Sequence, residues 1–194
     1  MRAHFRTSLI FSVLSVALGG AAIAQEADEY ALDPAHSGLN FKISHLGLSW
    51  VHGRFDELSG HFTLDRQNPA NASFELATKT ESIDTNNRKR DDHLRGPDFF
   101  NAKQFPAITF KSTAVRPVQD GYDVTGDLTL HGVTHPVTFL LSGGKSAEFP
   151  PGVHRTGFSA ELAVKRSEFG ITKFAGAVGD KVYIEISFEG TKKK

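Results

Sequence analysis

Apolar and polar residues alternate with period two along most of this chain, and that pattern limits the fold more than any other feature. Leu39, Phe41, Ile43 and His45 fall on one face of an extended segment, with Asn40, Lys42 and Ser44 on the other. The same alternation runs through Gly60 to Leu64, Ser73 to Leu76, Ile108 to Phe110, Tyr122 to Leu130, Val133 to Leu141, Gly157 to Val164 and Val182 to Phe188. Asp120-Gly121, His131-Gly132 and Gly179-Asp180 supply residues that accept the positive φ of tight hairpins. About eight antiparallel strands in roughly 160 residues predict an all-β barrel or sandwich.

No linker or low-complexity stretch divides residues 30–190, so one domain of that span is expected, with short tails at 25–29 and 191–194. The first 24 residues read as a cleavable export signal: Arg2 and Arg6 precede an apolar run from Leu9 to Leu18, and Ala22-Ile23-Ala24 gives the small-x-small cleavage pattern. That run is shorter than the roughly 20 apolar residues a bilayer requires. An exported, soluble mature chain is expected.

Composition removes several function classes. With no cysteine, the chain has no disulfide, no thiolate zinc site and no cysteine nucleophile. Lys+Arg and Asp+Glu are both 22, so no broad basic field exists to hold nucleic acid. His131 and His135 are four apart, but Gly132 and Pro136 forbid the helix that would align them, and no HExxH occurs. His52 and His61 flank a Gly-bearing turn region, which leaves open a meeting across strands. No Gly-x-Ser-x-Gly or phosphate-binding loop is present, and Asp91 and Asp92 are neighbours that point apart on a helix. A non-enzyme without a metal site is expected.

Residues 82–105 break the strand rhythm. Asn86 or Asn87 can cap a short helix through Arg88 to Leu94. Its basic first turn opposes the helix dipole, so packing of Ile83, Leu94, Phe99 and Phe100 must hold it. The chain is also rich in Phe, with 16 against three Tyr and one Trp. Phe buries a large area without a polar atom that needs a partner, and so suits a packed core or a dry interior alike.

An ordered set of short motifs narrows the choice. Tyr30-x-Leu32-Asp33-x-x-His36-Ser37 is followed by Phe41, His45-Leu46-Gly47, Gly53-x-Phe55, Gly60 and Ser82-Ile83-Asp84-Thr85. Then come Asp91-x-His93-Leu94-Arg95, Asp98-Phe99-Phe100, Phe105-Pro106, Gly126-Asp127-Leu128-Thr129-Leu130-His131-Gly132-Val133-Thr134 and Lys165-Arg166-Ser167-Glu168-Phe169-Gly170-Ile171. In these the chain resembles the YceI-like family of bacterial periplasmic, lipocalin-like proteins, from Tyr30 to about Gly190. Asn101 and Glu168 stand where the family often has Asp. The resemblance implies an elongated eight-stranded antiparallel barrel, here with a helical insertion around residues 86–104. It also implies a periplasmic location and an apolar channel that holds a polyisoprenoid chain or an isoprenoid quinone. That lipid is the expected ligand, with no further cofactor and room for transient membrane contact. An enzyme acting on bound lipid and a His-based metal-binding module are the alternatives. The pattern sets no oligomeric state.

For such a channel, alternation and the helical segment nominate the wall: Phe41, Ile43, Phe62, Leu64, Phe74, Leu76, Phe99, Phe100, Phe110, Leu128, Leu130, Phe139, Phe158, Phe169 and Ile184. His45, Asp91, His93 and Arg166 are the expected head-group residues. The residues alone also allow His45 to be a core histidine and Asp91 and Arg166 to pair with each other. The segment at 85–105 is the expected lid.

Overall fold

The computed structural model describes residues 27–193; the expected export signal lies outside them. Eleven antiparallel strands form one sheet. They are β1 (Asp28–Leu32), β2 (Gly38–His45), β3 (Ser49–Phe55), β4 (Leu58–Leu64), β5 (Ser73–Lys79) and β6 (Ile83–Asp84), then β7 (Ala107–Val118), β8 (Gly121–Leu130), β9 (Val133–Glu148), β10 (His154–Lys165) and β11 (Val178–Lys192). The single α-helix among the described residues, α1 (Arg88–Arg95), lies between β6 and β7.

Eleven strands make eight positions around a ring, because the first three positions are each broken in two. β11 pairs with β2 along its first part and with β1 at its end, so β1 and β2 occupy one position. β3 and β4 share the next, since β3 pairs with β2 and β4 with β1. β5 and β6 share the third, through β4 and β3 respectively. From β7 onward each strand is continuous, and the β1–β11 pairing closes the ring. Closure leaves no long unpaired edge. The eight alternating runs in the sequence correspond one to one with these positions.

Two of the three breaks coincide with short helical turns. Pro34 cannot donate to a ladder, and Pro34–His36 turns instead, with the Asp33 carboxylate accepting from the Ala35 N–H at 3.0 Å. A second short turn, Thr80–Ser82, separates β5 from β6. The halves that the sequence did not announce are β1, β3 and β6. In β3, Gly53 stands at an inward position where an apolar side chain would mark the face. It leaves space for the Phe41 ring, which a Cβ at residue 53 would strike together with the Thr85 methyl.

The turns divide in the same way. His131 (φ 53°) and Gly132 (φ 75°) take the left-handed conformations expected of a two-residue hairpin. Gly179-Asp180 does not form a hairpin: it lies inside β11, where the register against β2 shifts between Val178 and Val182. The β10–β11 connection is the longer stretch at 166–177. α1 is capped by Asn87, whose side chain accepts from the Arg90 N–H at 3.0 Å.

The interior is unequal along the barrel axis. At the end holding the β7–β8 turn and the β9–β10 loop, Tyr30, Leu32, Phe62, Leu64, Phe74, Phe158 and Phe188 are buried in one cluster. Phe62 is fully buried, stacked on Tyr30 at 4.8 Å and edge-on to Phe158 at 5.4 Å. Toward the other end, with the β2–β3 turn, α1 and the 166–177 connection, the centre is hollow.

Candidate functional site

The hollow is a cavity of about 440 Å³, within the usual range for small-molecule sites. Its floor is the aromatic plug, met at Phe74 and Phe188. Its wall follows the inward face of each strand: Leu39, Phe41 and Ile43 from β2, Leu128 and Leu130 from β8, Phe139 from β9, Ile184 from β11. Leu76 and Phe110 come from β5 and β7, and Leu94, Phe99 and Phe100 from the helical segment. No Asp or Glu faces the cavity among the described residues.

Fourteen of the nineteen residues nominated from the sequence stand on this wall or at its mouth. Five do not. Phe62, Leu64 and Phe158 point inward as expected, but at the level of the plug, where rings from facing strands fill the lumen. Phe169 is buried among Leu128, Leu130, Val164 and Ile171, under the β8–β9 turn, with its ring edge-on to His135 at 5.2 Å. The Asp91 carboxylate turns away from the hollow and accepts from the Thr85 N–H at 2.9 Å and from the Thr85 hydroxyl. Val137, Leu162, Val182 and Ile186 also line the cavity and share the inward parity of nominated neighbours, so alternation was signal enough to find them, whereas Val51 lies on β3, which the pattern did not mark. Phe174 carries no such signal. It lies outside any strand, at φ 56°, and reaches the mouth beside His93 and Phe99.

The polar groups lie at or near the mouth and do different things. His45 stands exposed at the end of β2, its ring without a hydrogen-bond partner among the described residues, so it is not a core histidine. The His93 ring bonds Asp98 at 3.1 Å, and Asp98 also meets Lys173 at 3.0 Å. Those two contacts, His93 first, hold the Asp98 carboxyl below its ordinary pKa. Arg166 does not pair with Asp91. Its buried guanidinium donates from Nε to the Gly179 carbonyl at 2.9 Å, from one terminal nitrogen to Ile171 and Lys173, and from the other to Val178. Four of five N–H donors are thus used to shape the 171–179 loop. Burial lowers its pKa, but a guanidinium stays charged under any physiological condition.

α1 is tied down by comparable means. Arg90 donates to the Thr85 hydroxyl and carbonyl, both at 2.7 Å, and Arg95 donates to the carbonyls of Glu81 at 2.7 Å and Ile83 at 2.8 Å. Far from the cavity, Asp33, His36 and Glu189 bring potential metal-ligating atoms within 4.8 Å of one another. The Arg155 guanidinium already occupies that group, bonded to Asp33 and 3.5 Å from Glu189.

A closed up-and-down barrel with a one-ended apolar pocket defines a lipocalin-like binding barrel. The YceI-like domain model matches residues 30–190, and the chain belongs to that family. Protein YceI of Salmonella arizonae is 42% identical over 170 residues, covering 87% of this chain and 89% of its own. Among solved structures, Burkholderia cenocepacia BcnA superposes with a TM-score of 0.74 at 26% identity, over 81% of this chain and 98% of that one. A polyisoprenoid binding domain from Saccharophagus degradans, implicated in plant cell wall breakdown, shares the fold with a TM-score of 0.62 at 20% identity, over 84% and 98%.

Proposed function

We propose that this protein is a periplasmic carrier that holds the apolar chain of a polyisoprenoid or isoprenoid-quinone-type lipid in its barrel. The observation that carries this reading is the hollow of about 440 Å³, apolar along its wall, stopped by aromatic rings at one end and ringed by polar groups at the other. An interior void forfeits dispersion contacts on every side chain that lines it, so a fold that keeps one gains from a guest. A linear apolar chain with one polar end fits the geometry: tail toward the plug, head at His45 and His93. The structural relative described as a polyisoprenoid binding domain supports the same guest. Periplasmic residence is supported by the export pattern of residues 1–24. The absence of carboxylates from the wall, among the described residues, favours binding over acid–base chemistry.

Burial of each five-carbon isoprene unit contributes roughly 3–4 kcal/mol before costs, at about 0.8 kcal/mol per CH₂. Affinity therefore climbs with tail length until the cavity is full, then levels off. Calorimetric titration of delipidated protein with isoprenoid quinones of graded tail length tests this. Phe110→Asp, which places a charge on the wall, abolishes binding of every tail. Affinities indifferent to tail length, or unchanged in Phe110→Asp, would overturn the reading.

A further inference from the structure

The outside of the barrel at its mouth has a property that tail binding does not require. Among the described residues, seven large hydrophobic side chains are exposed, and five gather at this end: Leu46, Leu48, Trp50, Phe174 and Tyr183. Leu48, at the tip of the β2–β3 turn, is 84% exposed. Leu46 adopts φ 55° in that same turn, a conformation that ordinarily selects Gly, Asn or Asp. A branched apolar residue there is costly both to the backbone and to solvation, and no packing inside the barrel repays it.

Cations surround the patch. Lys42 lies over the Trp50 and Tyr183 rings at 5.5 and 5.7 Å, Lys181 over Tyr183 at 5.0 Å, and Lys173 over Phe174 at 5.4 Å. Residues 42–55 contain no acid. On the adjoining loops Asp98 is engaged with Lys173 and His93, and Asp180 with the Ser167 N–H and hydroxyl, while Glu161 and Glu185 lie on the barrel wall beside Lys42 and Tyr183. Residues 165–181 carry four Lys or Arg against two acids, and residues 86–104 five against three.

We propose that the mouth rim, built from the β2–β3 turn and the 171–178 loop, docks on an anionic phospholipid bilayer, so that the cavity opens onto lipid. Apolar tips backed by Trp and Tyr, with Lys beside them, match the sequence of layers from acyl chain through interface to anionic head group. A second copy of the chain fits less well. A two-fold contact through this face would press one lysine-bearing patch against an identical one, like charge toward like. The rim is distinct from the expected lid at 85–105: there Arg90 bonds Thr85 within the segment and Arg95 ties α1 to the carbonyls of Glu81 and Ile83, whereas the β2–β3 turn carries the free apolar surface.

The surface is independent of which guest the cavity takes. Trp50 is the chain's single Trp, so its emission reports on this face alone. With mature protein and phosphatidylethanolamine vesicles containing about a third phosphatidylglycerol, Trp50 emission shifts to the blue and is quenched by lipids brominated on the acyl chain. Leu48→Asp lowers partitioning by at least ~10-fold, and Lys42→Glu with Lys181→Glu lowers it on these vesicles but not on phosphatidylcholine alone. Leu140→Asp, at an exposed apolar residue on β9, leaves it unchanged. All of these side chains are exposed, so circular dichroism and thermal unfolding match wild type in each variant. The proposal is overturned by an unquenched Trp50 or by wild-type partitioning of Leu48→Asp. It is equally overturned if Leu48→Asp dissociates a dimer in sedimentation while neither protein binds vesicles. Loss of quinone binding with vesicle docking intact strikes the carrier reading and not this one.

Discussion

At the closed end, Phe74 on β5 meets Phe158 on β10 at 5.4 Å, a contact straight across the ring of strands, and Phe62 touches Tyr30, Phe74, Phe158 and Phe188. At the hollow end, Phe41 pairs with Phe55 on the adjoining strand at 5.7 Å, and Phe110 with Phe139 at 5.2 Å, two positions around the ring. One residue type with one inward parity therefore serves as a plug where rings meet across the lumen and as lining where they lie along the wall. Each half supplies what the other lacks. The plug concentrates burial that stabilises the fold, and this allows the remaining interior to stay unfilled.

Truncating a ring in each half separates these roles. Phe62→Ala, in the fully buried plug, destabilises by about 3–5 kcal/mol. Phe139→Ala, on the part-buried wall, costs much less, and urea unfolding measures both. Comparable losses would erase the distinction between the halves.

A glycine in each half sharpens the contrast. Gly53→Ala pushes the Phe41 ring toward the cavity, so titration with graded quinones gives a shorter optimal tail at nearly unchanged stability. Gly190→Ala drives a methyl into the Phe62 ring and the Tyr30 side chain, and it lowers the unfolding midpoint without altering tail preference.

The smallest expected effect is one of pH, confined to the closed end. Asp33 accepts from Arg155, His36 and the Ala35 N–H, which together hold its pKa at about 2, Arg155 contributing most. An Asp in the unfolded chain titrates near ~3.9, so between about pH 4 and pH 2 the unfolded state binds more protons and stability falls as pH falls. Arg155→Ala raises the Asp33 pKa toward its ordinary value and flattens that slope, as followed by thermal unfolding across the window.

Much of the architecture was legible in the sequence because period-two alternation is a direct imprint of a wall with one dry face. It marked one run for each ring position and placed Phe41, Ile43, Leu128, Leu130 and Ile184 on the inner face. What alternation lacks is height along the barrel. Phe158 and Phe139 have the same parity, and only the stagger of strands decides which reaches the plug. Loops escaped for a different reason. Phe174 is delivered to the mouth by a connection that Arg166 shapes through four backbone carbonyls, and backbone carbonyls leave no trace in residue identity. The Asp91–Arg166 pairing failed likewise: each charge finds local partners, Thr85 for one and its own loop for the other, before it can reach across.

The central claim is that the hollow half exists to hold an apolar chain. Native mass spectrometry of protein isolated gently from its own cells, followed by solvent extraction of the same sample, tests it most directly. The account predicts one adduct per barrel whose extracted mass is that of a prenyl-chain lipid, and its loss in Phe110→Asp. A barrel that flies at its bare polypeptide mass and takes up no such lipid when offered it would contradict the account.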